Sequence, residues 1–129
     1  MKETIREAVA RTGAPVACVY LFGSRARGCP REGSDVDVAV LLQPDQSRPA
    51  GLLGPLQRIR GALERALERD VDLVDIRDAP PDLVHRILRD GILVMDEAPE
   101  LRAAFEVAAR NAYFDVLPYI REYRRGRVA

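Results

Sequence analysis

Two aspartates, Asp35 and Asp37, stand two positions apart in a segment whose residue types are typical of a β-strand. In an extended strand such residues project from one face, with Cα atoms about 6.6–6.8 Å apart. Two carboxylates this close repel each other unless a cation lies between them. Hard oxygen ligands on one face suit Mg²⁺, which keeps water and phosphate oxygens as its other ligands. Taken alone, the pair is equally consistent with a solvated strand start after Gly33 and Ser34.

A Gly-Ser turn lies upstream of this pair, and ten residues separate Ser24 from Asp35. Gly23 has no side chain, so a phosphate can approach its backbone closely. Ser24 offers a hydroxyl and a backbone N–H, and a helical turn starting here would direct further N–H groups at an anion. Arg25 and Arg27 are consistent either with phosphate contacts or with a solvated loop. The turn and the acidic pair together indicate a phosphate cradle beside a metal site.

A third acidic position lies in the apolar segment 71–76, which has the residue types of another strand. A buried carboxylate without a partner is costly, and a metal ion on the neighbouring strand would remove that cost. Asp72 shares a face of this strand with Val74 and Ile76, whereas Asp75 projects from the opposite face. Alternation alone does not decide which of the two acids meets Asp35 and Asp37.

The hydrophobic pattern predicts an α/β (α+β) fold, a small mixed sheet of about four strands flanked by helices. Strands are expected at 15–22, 35–42, 71–76 and 91–95, and helices at 3–12, 51–69, 82–89 and from about 98 onward. In the last helix we expect an inward stripe, with Pro118 kinking or interrupting the helix. The stripe comprises Leu101, Phe105, Ala108, Ala112 and Val116. We expect one domain over 1–129, with its core at about 14–96 and the C-terminal helix at about 98–125.

The composition narrows the class of protein. The chain has 129 residues, 47% of them hydrophobic, and lacks an apolar run of the roughly 20 residues that would span a bilayer. The charged N-terminus does not resemble a signal peptide, so we expect a cytoplasmic protein without membrane contact. Twenty basic and twenty acidic residues give no net charge, which argues against direct nucleic-acid binding. Cys18, Cys29 and the lone His85 do not have the spacing of a zinc site.

The turn, the ten-residue spacing and Asp35-Val36-Asp37 resemble the motif of the DNA-polymerase-β-like nucleotidyltransferase superfamily. The amino-acid sequence of these segments is most similar to that of its minimal nucleotidyltransferase branch, which includes antitoxins of the MntA type. The resemblance extends from Val16 to about Met95, and more loosely over the C-terminal helix. It implies the polymerase-β-like nucleotidyltransferase fold.

The resemblance also assigns roles to individual residues. It implies that Asp35 and Asp37 bind two Mg²⁺ ions, and that Asp72 supplies the third acid of the catalytic metal site. Gly23 would shape the turn and Ser24 would contact the phosphates of ATP. Arg25 is a candidate for the same phosphate contact.

Relatives on the antitoxin side transfer AMP from ATP to a tyrosine of a partner toxin, a HEPN-domain ribonuclease encoded by the neighbouring gene. The resemblance therefore implies a Mg²⁺-dependent protein adenylyltransferase with a HEPN-type partner. Two alternatives stay open: a non-catalytic subunit that neutralises the toxin by contact, and a small-molecule nucleotidyltransferase. The arginine- and tyrosine-rich segment 119–127 suits a protein interface. It equally suits a solvated helix end.

Overall fold

The computed structural model describes residues 1–26, 35–44 and 54–128, with side chains as far as residue 125. Arg27 and Cys29 lie outside the described residues, as does the expected start of the second helix at 51. The described part contains four helices, four strands and one short 3₁₀ turn at Gly23–Arg25. The helices are α1 (Lys2–Arg11), α2 (Pro55–Leu67), α3 (Pro81–Asp90) and α4 (Pro99–Val128). The strands are β1 (Val16–Phe22), β2 (Val36–Leu42), β3 (Val71–Asp75) and β4 (Ile92–Asp96).

The strands form one mixed sheet in the order β3-β2-β1-β4. The strand β1 pairs antiparallel with β2 and β4, and β2 pairs parallel with β3. The continuous apolar run of β1 is buried up to Leu21, as expected for a strand covered on both faces. The α/β fold class and its four-stranded mixed sheet are therefore confirmed.

Helices cover both faces of the sheet. On one face α1 and α2 pack Ile5, Val9, Ile59 and Leu63 against the inward valines of the strands. On the other face α3 and α4 cover Ala39 and Leu41 of β2 and the alternate positions of its neighbours. Because β2 alternates, its Val38 and Val40 belong to the first layer and Ala39 and Leu41 to the second. The first residues of β2 and β3 are thereby held at one end of the sheet.

The helix α4 differs from the expectation in two ways. It continues through Pro118 as one helix of 30 residues, so the expected interruption is wrong, whereas the alternative of a kink at Pro118 stays a prediction. The inward stripe also differs, because Ala108 and Ala112 are exposed while Ala109 packs on the sheet and Tyr113 is half-buried. Helical spacing permits steps of three or four residues, and runs of small alanines give no signal for choosing between them. None of the described helices combines the length and apolar composition that a bilayer-spanning segment requires.

A half-buried polar network ties α4 to the sheet. The Tyr20 hydroxyl donates a hydrogen bond of 2.7 Å to Glu106 Oε1, and Arg102 Nη1 donates to the same oxygen at 3.3 Å. Arg102 Nε also lies 3.0 Å from Asp96 Oδ2, at the end of β4. Hydrogen bonds to an ionised carboxylate, such as the two that Glu106 accepts, are the stronger ones in proteins. These contacts, with the ion pair to Asp96, join β1, β4 and α4 beside the apolar packing of Leu101, Phe105 and Ala109 on the sheet.

Alkaline pH is expected to lower the folding stability of the protein through Cys18 and Tyr20 of β1. Burial raises the pKa of the Cys18 thiol from 9.0 to about 11. Burial and the bond to Glu106 also raise the pKa of Tyr20. The folded state therefore holds both protons more tightly than the unfolded state, and the free energy of unfolding falls as pH rises from about 9 to 11. Urea denaturation at several pH values measures this fall. Cys18→Ala should show a shallower fall, and an identical fall in that variant would contradict the assignment to Cys18.

Candidate active site

Gly23 and Asp37 are in direct contact at one end of the sheet. Phe22, the last residue of β1, pairs with Asp37 of β2, so the turn that follows β1 lies over that carboxylate. Gly23 has φ +75°, and a Cβ built on it would overlap Asp37 Oδ2 and lie 3.1 Å from Asp37 Cγ. Only glycine adopts this conformation readily and leaves this space. The Gly-Ser turn is thus matched to Asp37, the second aspartate of the pair on the neighbouring strand.

The register of the parallel pair β2–β3 places Asp72 directly beside Asp37. Neighbouring residues in register project from the same face of a sheet. Asp72 is exposed and Asp37 is half-buried, so the two carboxylates border the solvent at the sheet end. Asp75 is in register with Val40 on the opposite face, and its Oδ1 accepts a hydrogen bond of 3.1 Å from the Arg77 backbone N–H. Of the two acids that alternation left open, Asp72 is therefore the one beside Asp37.

The remaining candidate residues flank this contact. Asp35 is exposed and immediately precedes β2. The following residue, Val36, donates its backbone N–H to the Asp70 carbonyl at 3.1 Å, which anchors the start of β2 beside β3. Ser24 and Arg25 are half-buried in the 3₁₀ turn that begins at Gly23. The turn, the start of β2 and the start of β3 thus meet at one end of the sheet.

The donor set at this end suits an ion that arrives with its own oxygen ligands. Within 1–26, 35–44 and 54–128, no three acidic, histidine or cysteine side chains are gathered closely enough to hold a metal ion by themselves. The expected trio is therefore not preassembled around one point. Mg²⁺ is commonly held by one or two carboxylates together with substrate phosphates and water. Asp37 and Asp72 lie side by side next to Gly23, whose missing side chain leaves space for the Asp37 carboxylate. This arrangement fits that mode of binding.

A second feature was not predicted from the sequence. The ring of His85 on α3 stacks on Tyr113 of α4, with centroids 3.9 Å apart and planes inclined by 4°. The stack borders a cavity of about 280 Å³ between the two helices. The adjacent aromatic residues Tyr113 and Phe114 are a signal in the sequence for a contact surface. The residue that stacks on Tyr113, His85, lies on another helix, so no helical periodicity could have linked the two.

Comparisons with known proteins agree with this architecture. The family model described as Polymerase beta, Nucleotidyltransferase matches residues 3–100. Protein adenylyltransferase MntA of Shewanella oneidensis is 37% identical over 75 residues, which are 57% of this chain and 49% of that protein. The chain thus spans about half the length of this curated relative.

Solved structures extend the likeness over the whole fold. A chain of a toxin–antitoxin complex crystallised with AMP-PNP has a TM-score of 0.80 at 23% identity, covering 99% of this chain and 98% of that chain. A chain from the complex of a tri-AMPylated Shewanella oneidensis HEPN toxin with an MNT antitoxin has a TM-score of 0.73 at 22% identity, covering 99% and 96%. These likenesses establish the fold. Because the family model matches residues 3–100, well over half of the chain, the chain belongs to the polymerase β nucleotidyltransferase family.

Proposed function

We propose that this protein is a Mg²⁺-dependent adenylyltransferase that transfers AMP from ATP to a tyrosine hydroxyl of a HEPN-domain partner, and that it acts as the antitoxin of that partner. The observation that carries the proposal is the contact of Gly23 with the Asp37 carboxylate, with Asp72 alongside. The curated relative MntA is a protein adenylyltransferase, and similar solved folds occur with AMP-PNP and with an AMPylated HEPN toxin. These relatives support both the nucleotide and the class of partner.

The site residues divide into two groups under this proposal. Asp35, Asp37 and Asp72 would hold two Mg²⁺ ions together with oxygens of the triphosphate. Gly23 leaves room for the Asp37 carboxylate beneath the turn, and Ser24 would donate to the phosphates from its hydroxyl and backbone N–H. Arg25 adds positive charge beside the same phosphates and offsets part of their charge.

The reaction is an in-line substitution at the α-phosphorus of ATP. The tyrosine oxygen forms the new bond to phosphorus, the bond from phosphorus to the bridging oxygen breaks, and pyrophosphate leaves with the electron pair. When bound, Mg²⁺ lowers the pKa of the acceptor hydroxyl and neutralises charge on the triphosphate. Asp72 accepts the hydroxyl proton. Its exposure at the end of the sheet makes it reachable from the surface of another protein.

The proposal is tested by incubating the purified chain with ATP labelled on the α-phosphate, Mg²⁺ and the purified HEPN protein from the neighbouring gene. We expect label on the partner, located on tyrosine by peptide mass spectrometry and lost when EDTA removes the metal. Transfer to serine or threonine would refute the tyrosine assignment. Toxin neutralisation that persists in a variant combining Asp35→Ala and Asp37→Ala would show inhibition by contact instead.

A further inference from the structure

The helix α4 exposes four large apolar side chains, which lie in two pairs on different sides of the helix. Among the described residues, Val107, Phe114, Tyr119 and Tyr123 of α4 are between 55% and 72% exposed. At 3.6 residues per turn, Val107 and Phe114 lie on one side of α4, whereas Tyr119 and Tyr123 lie on another. A single exposed apolar side chain is ordinary in a soluble protein, but Phe114 lines one cavity and Tyr119 and Tyr123 line another, which indicates a surface for contact with another molecule.

The neighbouring helix α3 is too short to cover these side chains. Ten residues of α-helix extend about 15 Å, whereas the 30 residues of α4 extend about 45 Å. Between the two helices lies the 280 Å³ cavity, which is lined by His85, Arg89, Arg110 and Phe114 among others. Further along α4 a second, more open cavity of about 630 Å³ reaches from Asp82 to Arg124. We call these two cavities and the side chains between them the α3–α4 seam.

The seam is positively charged in a protein whose net charge is zero. From 107 to 125, α4 carries four arginines, Arg110, Arg121, Arg124 and Arg125, against two acids, Asp115 and Glu122, a net charge of +2. Arg110 and Arg124 are exposed and line the two cavities. Aromatic residues and arginine are the types enriched at the energetic centres of protein interfaces. The complementary surface is one that is apolar and acidic.

We infer that the α3–α4 seam is the docking surface for the acceptor protein of the transfer reaction. The acceptor seats an apolar side chain in the cavity beside Phe114 and places carboxylates against Arg110 and Arg124. The inference rests on the proposed function, because it names where the acceptor is held. A second copy of this chain is a poorer occupant, since two-fold pairing of the seam would bring two segments of charge +2 together.

The test is binding of the purified HEPN protein in the absence of nucleotide, measured by titration calorimetry. Phe114→Ala and the double variant Arg110→Glu with Arg124→Glu are each expected to weaken binding about tenfold or more. The side chain of Phe114 is 62% exposed, so its removal should leave the fold intact, which circular dichroism checks. Arg65→Glu is the matched control, an exposed arginine on α2, which packs on the opposite face of the sheet. It should bind like the wild type.

Two outcomes would overturn the inference. One is acceptor affinity in the seam variants equal to that of Arg65→Glu. The other is a dimer of the chain alone, seen by sedimentation and lost in Phe114→Ala, because the seam would then hold a second copy. Asp37→Asn should bind the acceptor normally while transferring label far more slowly than the wild type. Binding through the seam without any transfer by the wild type would refute the proposed function and leave the docking surface standing. Transfer that is unchanged in the seam variants would refute the docking surface and leave the proposed function standing.

Discussion

Replacing Asp37 by asparagine is expected to slow AMP transfer by on the order of 10²–10³-fold while leaving the fold intact. Asparagine keeps the size of the side chain and its contact with Gly23 but removes the negative charge that holds Mg²⁺. The loss therefore falls on stabilisation of the charged transition state and not on packing. Single-turnover transfer of labelled AMP measures the rate, and thermal unfolding without ligand checks the fold.

The strand β3 supplies a matched pair of variants for the same experiment. Asp72→Asn removes the carboxylate in register with Asp37, whereas Asp75→Asn removes one on the opposite face of the same strand. We expect a loss comparable to that of Asp37→Asn in the first and near-normal transfer in the second. Equal losses in both would contradict the assignment of Asp72.

Thermal unfolding supplies a readout independent of transfer. A ligand at about 100 times its Kd stabilises the folded state by about 2.7 kcal/mol. ATP and Mg²⁺ added together should therefore raise the Tm of the wild type. The part of that rise that depends on Mg²⁺ should vanish in Asp37→Asn, and its persistence there would place the metal elsewhere.

Gly23→Ala is expected to lower the transfer rate by more than its loss of folding stability explains. At φ +75° an alanine costs roughly 1–2 kcal/mol of backbone strain. Its Cβ would also overlap the Asp37 carboxylate, which must move or force the turn away. A misplacement of about 1 Å in a catalytic group can cost about 10²-fold in rate. We therefore expect a loss of at least that order at saturating ATP.

Gly13 provides the control for this prediction. It has φ +64°, and a Cβ built on it would meet nothing within 4 Å. Gly13→Ala should thus show a similar loss in the free energy of unfolding and unchanged transfer per folded molecule. Urea denaturation and transfer assays on the two variants separate backbone strain from overlap at the site. A Gly23→Ala variant with normal activity would mean that the Gly23–Asp37 contact does not matter for catalysis.

Several features of the fold could be predicted from the pattern of apolar and polar residues along the chain. The alternation of β2 places Asp37 on one face with Ala39 and Leu41, because neighbouring side chains of any strand point to opposite sides. The apolar run of β1 predicted a strand covered on both faces, and the structure confirms it. Such features depend only on residues adjacent along the chain, so the sequence is sufficient for them.

Other features required contacts between distant segments. Alternation in β3 separated Asp72 from Asp75, but only the parallel register with β2 brings Asp72 beside Asp37. The requirement for glycine at position 23 comes both from the turn, whose φ is +75°, and from the carboxylate on the neighbouring strand, which only the tertiary structure places there. The stack of His85 on Tyr113 and the α3–α4 seam depend on how two helices lie together. Periodicity determines which face of an element a side chain occupies, whereas strand register and helix packing, which are set by burial across the whole core, determine what that face meets.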